Sequence, residues 1–310
     1  MPNPRSSIDP RSRNRRRRRV FASSCVVVAL TAIGAAVPAT SHAEPASCAP
    51  ATATTVTTAA VPYLDWAENL AFDAQGDMWV SRLYRNEVQR YDTAGRVTAT
   101  VAVTSPGAIR LGPDHKLYVV YGDNSINLIP GTRGSGVVRF DPTAAAPVPE
   151  VFVTGLAMAN GAFDAAGNLY IADTGSGVVR VRPDAGIDTD WTAQARMFGL
   201  NGLVVRGDSI YTTLYLSARG QVLRIPIDVP ARSATVVDLS MSDDLAAGPD
   251  GYLYVATTVG NLVRVDPGTH RVCTVLTGSP LAAVAVPPDG TRDLMVATGS
   301  GDVLRVHLPG

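Results

Sequence analysis

The chain has 310 residues, 46% of them hydrophobic and 17% charged, with 27 basic and 27 acidic side chains. That composition excludes a disordered chain and suffices for a large core, and an all-β chain of this length can still be one domain. The formal charge of zero is unevenly placed. Eight arginines (Arg5, Arg11, Arg13 and Arg15 to Arg19) and one acid (Asp9) precede residue 44, so residues 44–310 hold 19 basic and 26 acidic groups, which argues against a nucleic-acid partner.

Residues 1–43 read as an export signal: a basic start, an apolar run from Val20 to Val37 interrupted by Ser23 and Ser24, and small residues at the cleavage positions of Ser41-His42-Ala43. An uncleaved anchor is the alternative, because the run is at the short edge of a membrane span. Arg18-Arg19-Val20-Phe21 fits either a twin-arginine or an ordinary secretory signal. The expected product is secreted or extracytoplasmic, monomeric and without a membrane span after cleavage. Removing the signal takes Cys25 and leaves Cys48 and Cys273, which either close a disulfide around a very long loop or stay as free thiols. Residues 44–60, rich in Ala, Thr and Pro, read as a flexible leader.

From there one phrase recurs six times, an apolar run leading through a Gly/Asp turn into a strand. Its copies begin at Leu70, Ile109, Ala162, Leu203, Leu245 and Val284. Each is followed by a segment with an apolar-apolar-Arg-apolar core or a close variant, carrying Arg90, Arg139, Arg180, Arg224, Arg264 and Arg305. A period near forty residues with two strand pairs per copy predicts a six-bladed all-β propeller of four-stranded blades over residues 61–310. The repeated arginines are expected to snorkel or to pair between adjacent blades.

In a propeller the first strand of each blade lines the central channel, so the residues just before it converge on one mouth. Aligned on the turn, those positions read Glu68, Gly107, Ala159, Asn201, Asp243 and Ala282, with Asn160 one place later in the third copy. Glu68, Asn160, Asn201 and Asp243, with Asp244 beside the last, form a set of hard oxygen donors. Such a set suits Ca²⁺, with Mg²⁺ or Mn²⁺ also compatible, better than zinc or copper. Asn-Gly and Asp-Asp are also common turn residues, which is the competing explanation. Arg82, Tyr84, Tyr121, Asp123 and Tyr215 fall in loops beyond the channel strands, either as contacts to a small-molecule substrate or as ordinary surface positions.

The phrases Glu68-Asn69-Leu70-Ala71-Phe72, Asn201-Gly202-Leu203 and Asp243-Asp244-Leu245-Ala246, each followed by a turn and a strand such as NLYIAD or YLYVAT, resemble the senescence-marker-protein/gluconolactonase family of six-bladed propellers. The resemblance covers nearly all of residues 61–308. It implies one divalent cation, usually calcium, held by Glu68, Asn201 and Asp243. Similarity to paraoxonase-like lactonases adds Asn160 and Asp244. The implied activity is hydrolysis of lactones or related esters, with Asp243 as the first candidate for the water-activating base and Asp244 as the reserve. Two departures matter. The second blade's entrance is Pro106-Gly107, without the groups that grip sugar hydroxyls, and His115, His270 and His307 lie at turns or beside the terminal strand rather than as a catalytic pair. Similar propellers also include ring-forming biosynthetic catalysts and non-catalytic binders, and the fold alone does not separate these from a hydrolase.

Overall fold

Each repeat becomes a strand pair because β-branched and aromatic residues alternate on either side of a turn whose Asp satisfies the reversing backbone. Asp73 accepts the N–H groups of Gln75 and Asp77, and Asp164 those of Ala166 and Asn168. An aromatic side chain of the second strand donates back to the same carboxylate: Trp79 to Asp73, Tyr118 to Asp114, Tyr170 to Asp164 and Tyr254 to Asp250.

A computed structural model describes residues 48–129 and 131–309. The export-signal reading of residues 1–43 lies outside the described residues. No described helix is long and apolar enough to cross a membrane.

The strands form six antiparallel sheets. Their inner strands are Ala67–Phe72, Ile109–Leu111, Ala159–Phe163, Leu200–Arg206, Ser242–Ala247 and Leu281–Ala285, which define blades 1 to 6. Each inner strand packs against that of the next blade, and the sixth against the first, which closes the ring of the predicted six-bladed propeller. Six apolar cores fill the spaces between neighbouring blades. Trp79, Ile109 and Phe140 sit between blades 1 and 2, and Leu253, Val222 and Val255 between blades 4 and 5.

Two local features differ from the sequence reading. Five sheets have four strands, but the third has three. Its outer edge is covered by the helix Thr189–Gln194, capped by Asp188, and Ala195 and Thr192 there accept the N–H groups of Val178 and Arg180. The second correction concerns residues 44–60. Thr52–Thr57 is a strand, paired antiparallel with Val303–His307 as the outermost member of blade 6. Its sequence TATTVT is rich in β-branched residues, and the open edge of the last blade supplies the hydrogen-bonding partner it lacks in isolation. Cys48 is bonded to Cys273 on the outer strand of blade 5, with a Cα–Cα distance of 5.5 Å across 225 residues, and Ala51 donates to the carbonyl of Val275 at 2.8 Å. The closing strand is therefore fastened to two blades.

The repeated arginines mostly pair within their own blades. Arg139 reaches Asp114, Arg224 reaches Asp208 and Arg305 reaches Asp289 and Asp293, each at the turn end remote from the predicted site. Arg90 alone among these adds a bond to the next blade, to the carbonyl of Pro142. His115 occupies a turn, as its position in the sequence implies, whereas His307 is the last residue of the terminal strand and faces Asp293.

Candidate active site

The channel mouth is built by irregularities in the inner strands. Ladder pairing skips a step between Ala67 and Asn69, between Leu200 and Leu203, between Ser242 and Leu245, and between Leu281 and Ala283. Glu68, Asn201-Gly202, Asp243-Asp244 and Ala282 are the residues skipped. Such bulges free a side chain from the pleat and re-aim it. Blade 3 has no bulge: Asn160 pairs in register with Ala172. That difference accounts for the one-place offset of its amide.

Hydroxyl groups from one blade hold the entrance of the next. Ser81 donates to the carbonyl of Gly107 at 2.6 Å, and Thr174 to that of Leu200 at 2.7 Å. Thr213 accepts the Gly202 N–H at 2.8 Å and donates to the Asp243 carbonyl at 2.6 Å. Blades 4 and 5 approach so closely here that a Cβ at Gly202 would lie 2.4 Å from Asp244 Cα and 2.6 Å from the Asp243 oxygen. Glycine is required at that position by space rather than by its φ angle.

The polar side chains fall into two groups. In the first, Glu68, Asp123 and Asp243 act on one another across the mouth. Glu68 accepts a bond from Trp66 Nε1 at 2.6 Å. Loss of water and the negative charges of Asp123 and Asp243 push its carboxyl well above the usual range. Burial pushes Asp123 to about 6. Asp243, 5% exposed, is raised well above its ordinary value by burial and then by Asp244 and Asp123. Its carboxyl accepts no hydrogen bond among the described residues, and Asn201, half-buried in its bulge, makes no side-chain hydrogen bond among them either. In the second group, Asp244 accepts from Asn69 Nδ2 at 3.0 Å and Asn160 Nδ2 at 3.4 Å and faces Arg110 Nη2 at 3.5 Å. Arg110 also donates to Asn69 Oδ1 at 2.6 Å and Asn160 Oδ1 at 3.4 Å. Burial raises the Asp244 carboxyl, and the charge of Arg110 opposes that rise.

This arrangement revises the expected roles. Asp244 is enclosed by two amides and a guanidinium and is not free to take a proton from water. The oxygen of Asn160 is occupied by Gly161 N–H and Arg110, which leaves Glu68, Asn201 and Asp243 from the anticipated cation set. Arg82, expected to contact substrate, is 2% exposed and binds the carbonyls of Asp65 and Gly301 and the hydroxyl of Tyr91. It ties blade 1 to blade 6. Tyr84 is exposed, with its ring 6.2 Å from Trp66 in an edge-on contact. Tyr121 packs partly into the core between blades 1 and 2, and Tyr215 faces Thr258 across 3.4 Å. Asp123 and Arg110 belong to the site but carried no repeat signal, since one lies in a loop and the other follows an entrance of Gly107 and Ala108.

The donor set of the first group, all oxygen and with no cationic partner on Asp243, fits a hard divalent cation. It is not a ready-made cage: among the described residues no three His, Cys, Asp or Glu side chains stand close enough together to hold an ion.

Solved propellers of several activities share this architecture. The chain superposes on a gluconolactonase from Xanthomonas campestris with a TM-score of 0.63 and 13% identity, covering 86% of this chain and 98% of that one. It matches regucalcin, a calcium-binding protein from Agrobacterium tumefaciens, with a TM-score of 0.64 and 17% identity over 85% and 96% of the two chains. A glucose dehydrogenase-type oxidoreductase from Thermus thermophilus gives 0.63 and 20% identity over 83% and 99%. No protein-family model matches the chain, and no curated protein matches it in sequence. At these identities the likeness establishes a fold, which accommodates more than one chemistry.

Proposed function

We propose that this protein is a secreted, calcium-dependent hydrolase of lactones or related esters. The observation that carries the reading is the buried Asp243 carboxyl, without a hydrogen-bond donor and facing Glu68 and Asp123 at the channel mouth. Three acids pushed above their ordinary range in one well repel one another, and a cation among them would favour their ionised forms. Glu68, Asn201 and Asp243 would hold it. A bound divalent cation supplies Lewis acidity toward a carbonyl oxygen. Asp123 faces Glu68 at the mouth and is not one of the three proposed ligands, so it is preferred here to Asp243 and Asp244 as the base. Arg110, Asn69 and Asn160 fix Asp244 beneath the well and thereby the backbone that carries Asp243. The neighbouring gluconolactonase and regucalcin support the reaction class and the metal.

Export is supported by the residue pattern of 1–43 and by the Cys48–Cys273 disulfide, which suits an oxidising compartment. A monomer is the accompanying expectation.

The test uses residues 44–310, stripped with a chelator and titrated calorimetrically with Ca²⁺, alongside a panel of aliphatic, aromatic and sugar lactones. Metal-dependent turnover that disappears in Asp243→Ala supports the reading. Calcium binding without turnover of any lactone or ester would return the molecule to a binding role, and no divalent binding at all would end the metal reading.

A further inference from the structure

The exposed large hydrophobic side chains of this protein are concentrated at one end. Among the described residues, all except Val97, Val148 and Val151 lie just before an inner strand or in the loop between the second and third strands of a blade. Strand register places those segments at the mouth that holds Glu68 and Asp243. Tyr63, Tyr84, Ile126, Phe198, Leu216 and Met241 represent blades 1, 2, 4 and 5 in this collar. Scattered exposed apolar residues are ordinary, but their gathering on four of the six blades at the mouth of a polar well marks a binding surface.

Two residues of the collar also have an unusual backbone conformation. Tyr63 and Met241 have φ angles of 65° and 58°. Asn86 takes the same conformation at φ 56° with a side chain suited to it, whereas Tyr63 and Met241 hold it through backbone bonds, from Tyr63 N–H to the Ser300 carbonyl and from Thr258 N–H to the Met241 carbonyl. Tyr63 is 63% exposed and Met241 39%. His115, Ala185 and His270 take the same conformation in turns at the other end, so it is the outward-facing apolar side chains of Tyr63 and Met241 that distinguish the collar.

The collar is also continuous with the well. Trp66 bonds Glu68 through Nε1 and meets the Tyr84 ring edge-on. Its own ring lies where a Cβ on Gly299 would be 2.6 Å away, so only glycine leaves it room. In blade 5, Met241 stands two residues before Asp243, and its carbonyl accepts the N–H of Thr258.

From this geometry we infer that the collar binds an apolar chain of the substrate, so that the ligand is an amphiphilic lactone or ester bearing an alkyl or aryl chain rather than a sugar lactone. The reacting group rests on the hydrolase reading; the chain does not. Pro106 and Gly107, which line the blade 2 entrance, offer no polar side chain to a hydroxylated ring.

Two measurements test it on residues 44–310 with Ca²⁺. The first is kcat/KM across γ-lactones from butyrolactone to dodecalactone, with δ-gluconolactone for comparison. Each methylene that leaves water is expected to raise the value about two- to fourfold until the chain has crossed the collar. The second is a tryptophan-fluorescence titration with γ-dodecalactone, independent of turnover. Met241→Asn and Tyr63→Asn, better suited to their φ, are expected to keep or raise Tm while weakening dodecalactone binding at least fivefold. A flat chain-length series, a preference for gluconolactone, or unchanged dodecalactone binding in both variants would overturn the inference. Turnover with a flat series sinks the collar and leaves the hydrolase reading intact. Saturable dodecalactone binding without turnover does the reverse, and binding to phosphatidylcholine vesicles without a chain-length effect would replace a substrate chain by a lipid surface.

Discussion

Replacing Asp123 with Asn should stabilise the metal-free protein, and the size of the effect follows from the site. A carboxyl titrating near 6 in the folded chain and near 3.8 when unfolded binds protons more tightly in the native state. Its penalty on folding is therefore greatest above pH 6 and fades as pH falls toward the unfolded value. At pH 8 the linkage amounts to about 3 kcal/mol, and at pH 4.5 to about 1 kcal/mol. For a domain of this size, that difference corresponds to a rise in Tm of roughly 6–12 °C at pH 8. The assay is thermal unfolding by circular dichroism in chelator at both pH values, for the parent and Asp123→Asn. Added calcium should raise the parent's Tm more than the variant's, because the variant has one carboxylate fewer around the ion. An Asp123→Asn protein no more stable than its parent at pH 8, or one equally favoured at pH 4.5, would show that Asp123 is not a penalised acid.

Other perturbations probe the scaffold beneath the site. Arg110→Met leaves Asp244, 1% exposed, without its cation, and should cost about 3–5 kcal/mol in urea unfolding; combining it with Asp244→Asn should recover much of that loss, and a strictly additive double variant would deny the pairing. Gly202→Ala forces a Cβ against backbone of the neighbouring blade, so a loss of about 1–3 kcal/mol and weaker calcium binding in calorimetry are expected. Cys48→Ser with Cys273→Ser opens a loop of 225 residues, worth about 5 kcal/mol on the chain-entropy account. Hydrogen exchange should then show Thr52–Thr57 losing protection before any other strand; uniform exchange across blade 6 would contradict that role for the bridge.

Much of the fold was legible because the blade repeats. The turn aspartates, the aromatic residues that donate to them and the arginines at the third strand recur at fixed offsets, and the structure puts them to similar use in most of the blades. The candidate site positions are the ones that break the repeat: Glu68, Asn201 and Asp243 stood out by their difference from Gly107 and Ala282. Where partners are distant in sequence, the pattern was silent. Arg82 and Tyr84 are near neighbours in the chain, yet one is buried between blades 1 and 6 and the other is exposed at the mouth, because the strand ends between them. Asp123 required knowing that a loop of blade 2 faces Glu68, and Arg110 that its guanidinium reaches Asp244, three blades further along the chain.

The sequence by itself determined the six repeats, the strand pairs within them and the oxygen-bearing entrances, since alternation, turn chemistry and periodicity are local properties of a chain. Only the tertiary structure decided which oxygens share a well and which are spent on Arg110, that the third blade ends in a helix, and that a threonine-rich leader becomes the strand closing the ring. Those outcomes depend on bulges, on the close approach at Gly202 and on an unfilled sheet edge, which exist only once the blades have met.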